Sequence, residues 1–294
     1  MVIARLIAEM PDWETRHDAA RASLLREGAQ VLSAEQLKSD PSVIEMRIEG
    51  HDRAAVQGAV SEHFAGSDML VSDGEIALPR VFVSDMDSTM IGQECIDELA
   101  DYAGIKPQIA AITERAMQGE LDFENALRER VALLKGLPET AIAQCLAERI
   151  RPNPGAQTLV RTLRSKGCTT VLVTGGFHHF ADELGARLGF DRVVGNRLSV
   201  ADGTLTGALE GRIVDSNVKR AELMSQIPKG SGPVASCAIG DGANDIPMIE
   251  EATYGFAYCA KPKARAAANG EINQPDLTAV LTLLGVARSD WKAA

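Results

Sequence analysis

Basic charge is in short supply in this chain. Its 294 residues hold 30 Lys and Arg against 41 Asp and Glu, a formal charge of −11. A nucleic-acid surface needs a basic face, so this balance argues against that class of partner. Long apolar runs are missing as well: none approaches the roughly 20 residues of a membrane span. The opening stretch from Met1 to Ala8 is too short for a secretory signal, and Glu9 follows at once. Cysteine is sparse. Cys95, Cys145, Cys168, Cys237 and Cys259 are scattered without CxxC spacing. Such an odd, dispersed set reads as reduced thiols in the cytosol, not as a disulfide frame or a zinc site. Cys237 lies in an apolar run and is expected in the core. Neither GxxxxGK(S/T) nor GxGxxG occurs, which excludes P-loop and Rossmann nucleotide binders. There is no internal repeat and no low-complexity tract. What remains is ordinary for a soluble globular chain, with 45% hydrophobic and 24% charged residues. The length suits about two domains.

The strongest local pattern lies at residues 80–90. Val81 to Val83 read as a buried parallel strand, and the chain runs directly into Asp85, Asp87, Ser88 and Thr89. In open α/β sheets the chemistry sits beyond the carboxyl ends of strands. Two carboxylates one residue apart at that place repel each other and call for a cation. A hard, oxygen-seeking ion such as Mg²⁺ fits them. The alternative is an acidic turn that only caps a helix.

Residues 1–76 form a unit of their own. Val2–Ala8, Val31–Leu37, Val43–Ile48 and Met69–Val71 read as strands. Asp12–Glu27 and Asp52–Phe64 read as helices, the first with Ala19, Leu24 and Leu25 among its apolar positions. The order βαββαβ matches a small α+β ferredoxin-like unit, and it resembles an ACT-type regulatory domain. The turn at residues 9–12, where such domains often carry a ligand-binding glycine, has none. Packing, or a homodimer formed through this unit, is the role expected of it. Asp73-Gly74 marks the boundary, and residues 77–294 form the second unit.

From about 95 to 152 no strand-like run occurs. Ile96–Tyr102, Ile109–Gln118, Asp122–Leu134 and Glu139–Arg149 read as helices, a block that looks like an inserted cap. Phe123, Leu127, Val131 and Leu134 share one helical stripe, and Arg130 lies on it too. An arginine there either snorkels to water or receives a buried anion; the pattern leaves both open.

The α/β pattern then returns. Thr169–Val173 reads as a buried strand ending in Thr174, Gly175 and Gly176, with a helix after Phe177. A hydroxyl and free backbone N–H groups there suit an anion. Val193-Val194 reads as a short strand, and Arg197–Val200 with Thr204–Leu209 as a hairpin about Asp202-Gly203. Lys219 stands at a helix start, where a lysine taken singly is a solvated face. Val234–Ile239 reads as another buried strand, emptying into Gly240-Asp-Gly-Ala-Asn-Asp245. Tyr254–Tyr258 reads as the last strand, Ala260–Ala268 as a surface helix and Leu277–Leu284 as a closing helix.

Three parallel strand ends thus carry Asp85/Asp87, Thr174/Gly175 and Asp241/Asp245. With Lys219, this set resembles the haloacid dehalogenase-like superfamily of phosphatases. Its motifs are DxDx(T/V), a Ser or Thr at the second strand end, a lysine and GDGxND. The resemblance implies a Rossmann-like parallel core, here with the cap inserted at about 95–152. Asp85 through Thr89, Glu94, Phe123, Arg130, Thr174 through Phe177 and Gly240 through Asp245 look like the phosphoserine phosphatase family within it. That resemblance implies hydrolysis of O-phospho-L-serine, with Asp85 as nucleophile, Asp87 as acid and base, and Lys219 on the transferring phosphate. It further implies Mg²⁺ on Asp85, the Asp87 carbonyl and Asp241, with Asp245 behind them and Asn244, Thr174 and Gly175 on phosphate. Glu94 and Arg130 would take the ammonium and carboxylate of the substrate, and Met117 and Phe123 would wall the pocket. A cytoplasmic enzyme that binds neither membrane nor nucleic acid is expected. The competing readings are a related phosphatase for another small phosphomonoester and a non-catalytic serine sensor. Intact Asp85, Asp87, Lys219 and Asp241 speak against the sensor.

Overall fold

A computed structural model describes residues 1–8, 12–117, 120–230 and 232–293, the side chain of Met117 excepted. The chain opens with β1 (Val2–Ile7), α1 (Trp13–Arg26), β2 (Gln30–Leu37), β3 (Asp40–Glu49), α2 (Arg53–His63) and β4 (Met69–Ser72). All pairings within this set are antiparallel, in the order β2-β3-β1-β4. The βαββαβ order anticipated from the sequence is therefore present. Alternation in β1 and β3 buries Ala4, Leu6, Ile44, Met46 and Ile48 against α1 and α2. The inner face of α1 is Ala20, Ser23 and Leu24, whereas Ala19 and Leu25 are exposed. Of the apolar positions noted in the sequence, only Leu24 lies on this inner face, and Leu25, one residue and about 100° further round the helix, points to solvent. The turn at 9–11 lies outside the described residues.

β5 (Val81–Ser84) follows, fully buried on both faces as a central parallel strand must be. The helical block comes next: α3 (Cys95–Tyr102), α4 (Lys106–Met117), α5 (Phe123–Ala132) and α6 (Thr140–Arg149). The core resumes with α7 (Ala156–Ser165), β6 (Thr169–Phe177), α8 (His178–Leu188), β7 (Arg192–Ala201), β8 (Thr204–Glu210) and α9 (Ser216–Gln226). It closes with β9 (Ser236–Gly240), α10 (Ile246–Glu251), β10 (Tyr254–Tyr258), α11 (Pro262–Ala267), β11 (Gly270–Ile272) and α12 (Thr278–Leu283). The strands β11-β10-β9-β5-β6-β7 are parallel, and β8 is an antiparallel edge. Val193–Val194 and Arg197–Val200 are one strand, β7, not two. β6 runs on through Phe177, so the two glycines sit in a strand and not in a helix turn. Cys237 is fully buried.

The two units are not merely tethered. β4 pairs with β11, Leu70 opposite Gly270 and Met69 opposite Glu271, so one sheet of 11 strands runs through both. The seam is knitted by buried polar groups. Arg5 Nη1 donates to the Leu283 carbonyl at 2.8 Å, and Asn269 Nδ2 to the Val71 carbonyl at 3.0 Å. Each would cost free energy if left unpaired in the dry interior.

Candidate active site

β5 and β9 are neighbours, so their carboxyl ends deliver acids to one place. Asp85 continues the ladder for one more step, its N–H donating to the Ile239 carbonyl at 3.0 Å. Its Oδ1 accepts from the Met86 N–H at 2.8 Å and lies 2.7 Å from Lys219 Nζ. Lys219 arrives on the first turn of α9, which Asp215 caps by accepting from the Val218 N–H at 2.9 Å. The ammonium is 1% exposed and also lies 2.7 Å from Asp245 Oδ1. It is therefore no solvated face. The two carboxylates hold its proton more firmly than in water, against the burial that opposes the charge.

Asp245 is fully committed. Its Oδ2 accepts from the N–H groups of Asp241 and Gly242 at 3.2 and 3.1 Å, closing the glycine-rich turn around itself. The turn needs glycine at 240, since a Cβ there would collide with the Asp245 carboxylate. Carboxylate oxygens of Asp85, Asp241 and Asp245 lie within 4.8 Å of one another. Of these, Asp85 Oδ2 accepts no hydrogen bond among the described residues, and the Asp241 carboxylate has only Lys261 Nζ, 3.8 Å away. Burial and then the Asp245 charge push the Asp85 carboxyl well up and that of Asp241 to about 6. Crowded anions with unshared oxygens are a donor set that fits a hard divalent cation.

Asp87 points into the same space. Burial first, then the nearby Glu94 charge, lift its carboxyl to about 7, while a 3.4 Å bond from the Cys95 N–H opposes the rise. Ser88 takes the left-handed backbone conformation, φ 53°, and donates its hydroxyl to Glu94 Oε1 at 2.7 Å. The tight turn thereby brings Glu94 back toward the acids.

The phosphate loop is a bulge. β6 and β7 are in register at Val173/Val194 and again at Phe177/Asn196, so Thr174, Gly175 and Gly176 face Gly195 alone. Gly176 N–H donates to Thr174 Oγ1 at 2.8 Å, which leaves the hydroxyl proton free to donate. A Cβ on Gly176 would come to 3.0 Å from Asp87 Oδ2, so glycine is needed for the loop to pass that close. Asn196, 2% exposed, donates from Nδ2 to the Gly175 carbonyl at 2.7 Å and accepts at Oδ1 from the Val214 N–H at 2.8 Å.

The helical block roofs a cavity of about 1130 Å³ lined by Asp85, Asp87, Glu94, Phe123, Arg130, Thr174, Gly175, Asp241 and Asn244. On α5, Leu127 and Val131 are buried, while Phe123 reaches down to Gly175, whose Cβ position lies 3.3 Å from the ring. Arg130 makes one hydrogen bond among the described residues, Nε to the Ala126 carbonyl of its own helix at 3.3 Å. Burial loosens its proton, and the charges of Asp97 and Glu94 work the other way. The Met117 side chain lies outside the described residues. Asn196 and Lys261 stand at this site without having been singled out in the sequence, whereas Gly176 was read there as part of the anion site. The first two owe their places to a bulge and to the turn after β10.

Comparison with known proteins agrees with this geometry. A family model described as haloacid dehalogenase-like hydrolase matches residues 82–250, and a second of that description matches 229–284. A phosphoserine phosphatase of Streptococcus thermophilus is 47% identical over 205 residues, 69% of this chain and 95% of that protein. Three longer curated phosphoserine phosphatases, 43–44% identical, are matched over 52–60% of their length. A HAD family hydrolase from Salmonella enterica serovar Typhi superposes with a TM-score of 0.80 at 26% identity, over 98% of this chain and all of that one. A substrate-bound phosphoserine phosphatase complex gives a TM-score of 0.62 at 37% identity, over 69% of this chain and 97% of the other.

Proposed function

This chain belongs to the phosphoserine phosphatases of the haloacid dehalogenase-like superfamily, and from that premise we propose how its residues hydrolyse O-phospho-L-serine to L-serine and phosphate. Asp85 attacks phosphorus in line; the P–O bond to serine breaks and an aspartyl-phosphate forms. Asp87 gives its proton to the departing serine oxygen. As a carboxylate it then takes a proton from water, whose oxygen displaces Asp85 and releases phosphate. A carboxyl near 7 exists in both forms at neutral pH, which suits a group that must act as acid and then as base. Lys219 and the Thr174 hydroxyl stabilise charge on the transferring phosphoryl oxygens, with Gly175 and Asn244 beside them. Arg130 receives the substrate carboxylate, Glu94 its ammonium, and Phe123 closes the pocket; Met117 is proposed for the same wall. Asp85, Asp241 and the Asp87 carbonyl are the proposed holders of Mg²⁺, with Asp245 keeping their turn in place. When bound, Mg²⁺ supplies a positive centre that offsets the repulsion between the phosphate dianion and Asp85.

One observation carries the reading. Lys219 lies 2.7 Å from Asp85 at a strand end, beside an acid tuned to about 7 and beneath an arginine without an ion-pair partner among the described residues. The test is phosphate release from O-phospho-L-serine against a panel of phosphomonoesters, with and without Mg²⁺. Rapid release from the panel but not from phosphoserine would favour the related phosphatase.

The proposed division is 1–76 and 77–294, the first an ACT-like unit used for packing or dimerisation. No helix among the described residues is long and apolar enough to cross a membrane. A cytoplasmic location belongs to the proposal.

A further inference from the structure

The bulge between β6 and β7 gives one buried side chain a hold on two parts of the site. We infer that Asn196 is a positioning residue for phosphoryl transfer: it aims the Thr174 hydroxyl through the Gly175–Gly176 peptide and anchors the segment that leads to Lys219. The inference rests on the phosphate role proposed above for Thr174.

The linkage is a chain of three hydrogen bonds. Asn196 Nδ2 holds the Gly175 carbonyl at 2.7 Å. A peptide is planar, so fixing that carbonyl fixes the N–H of Gly176 on the opposite side. This N–H occupies a lone pair of Thr174 Oγ1 at 2.8 Å, and the hydroxyl proton is left for the cavity. Two glycines in succession have no side chains to hold this peptide plane; without Asn196 it is free to rotate. The other end of the amide works on the cation. Oδ1 takes the Val214 N–H at 2.8 Å, and the next residue, Asp215, caps the helix whose first turn bears Lys219. A donor and an acceptor are both used, at 2% exposure. Neither Asp nor Leu can do both.

A buried asparagine that merely plugs a bulge would be indifferent to Thr174, and this separates the two roles. Asn196→Asp keeps the acceptor for Val214 and sets a carboxylate oxygen against the Gly175 carbonyl. It should lower kcat/KM for O-phospho-L-serine roughly 10- to 100-fold, the range for groups that orient a catalytic ligand. The loss should fall on kcat, and inhibition by inorganic phosphate should weaken with it. In a Thr174→Ala background the same change should cost no more than about threefold further, because the hydroxyl it aims is gone. Losses that multiply in full, or unchanged kinetics beside a lowered melting temperature, would overturn the inference. Should Asn196→Asp not fold, Asn196→Ser, which gives up both contacts, is read in the same cycle: its loss should be several-fold smaller in the Thr174→Ala background than in the wild type, and equal losses in both would overturn the inference. If the wild-type protein released no phosphate from phosphoserine, the functional reading would fall first. Calorimetric binding of inorganic phosphate to wild type and Asn196→Asp would still judge Asn196, equal affinities counting against it.

Discussion

Replacing Arg130 by alanine separates substrate choice from phosphatase chemistry. Four of the five guanidinium N–H donors are uncommitted among the described residues, since only Nε is bonded, to Ala126 of its own helix. The native fold therefore loses little, and the melting temperature should move by no more than a surface substitution moves it. The substrate loses much. A charge-assisted, two-pronged contact to a carboxylate contributes about 1.5–3 kcal/mol, or about 10- to 150-fold in kcat/KM. Asp97 and Glu94 both act electrostatically on Arg130. Once the cation is gone they repel the incoming carboxylate, which places the expected loss toward the upper end. Phosphate release should be followed with O-phospho-L-serine and with phosphoethanolamine, which has the ammonium and phosphate but no carboxylate. The expected result is a selective loss on phosphoserine, with Arg130→Lys recovering part of it, since an ammonium is a point charge without the fork. Equal losses on both substrates would mean that Arg130 holds the cap or the phosphate. No loss on either would return it to a side chain that reaches for water.

Asp85→Asn should abolish turnover, because an amide is a poor nucleophile; near-wild-type phosphate release would remove Asp85 from that role. Turnover should vanish in excess EDTA and return with Mg²⁺, with Ca²⁺ inhibiting because it favours longer bonds and more ligands; full activity in EDTA would refute the ion's place. The alkaline limb of kcat/KM should fall near pH 7 as Asp87 loses the proton it must donate, and Glu94→Gln should move that limb to lower pH by removing a charge that raises Asp87; an unmoved limb in the variant would assign it to another group. Asp241→Asn should stabilise the metal-free protein above about pH 6. The folded carboxyl titrates near 6 and the unfolded one near 3.8, so ionisation costs nothing below about pH 4 and its full penalty, at most about 3 kcal/mol, above 6. Melting curves at pH 4 and pH 8 check this, and a variant less stable than wild type at pH 8 would contradict it.

The parts legible in the sequence were those whose meaning is local. Asp85 and Asp87 follow a strand directly, and Gly240 through Asp245 carry their turn geometry in their own residue types. Lys219 could be read only through the resemblance, since nothing in Ser216–Arg220 says that its ammonium is buried. Arg130 was ambiguous on its stripe, and the structure shows the guanidinium turned to the cavity with one bond to its own helix. Asn196 was invisible, because its partners are set by a register shift between β6 and β7. The three-residue strand β11 escaped notice for a similar reason: Gly-Glu-Ile becomes a strand only because β4 and β10 flank it.

The junction of β4 with β11 also bears on how the chain comes into being. Leu70 and Gly270 are paired but lie 200 residues apart. A ribosome adds roughly 5–20 residues per second, so β4 waits about 10–40 s for its neighbour. Through that interval Met69–Ser72 has an open edge, and Arg5 lacks the Leu283 carbonyl that later receives it. An exposed apolar strand edge is a template for association with other chains. The nascent N-terminal unit should therefore be the aggregation-prone species during biosynthesis. Arrival of β11 and of Leu283 ends that exposure, so a chain truncated before Gly270 should need chaperone protection that a chain carrying these residues does not.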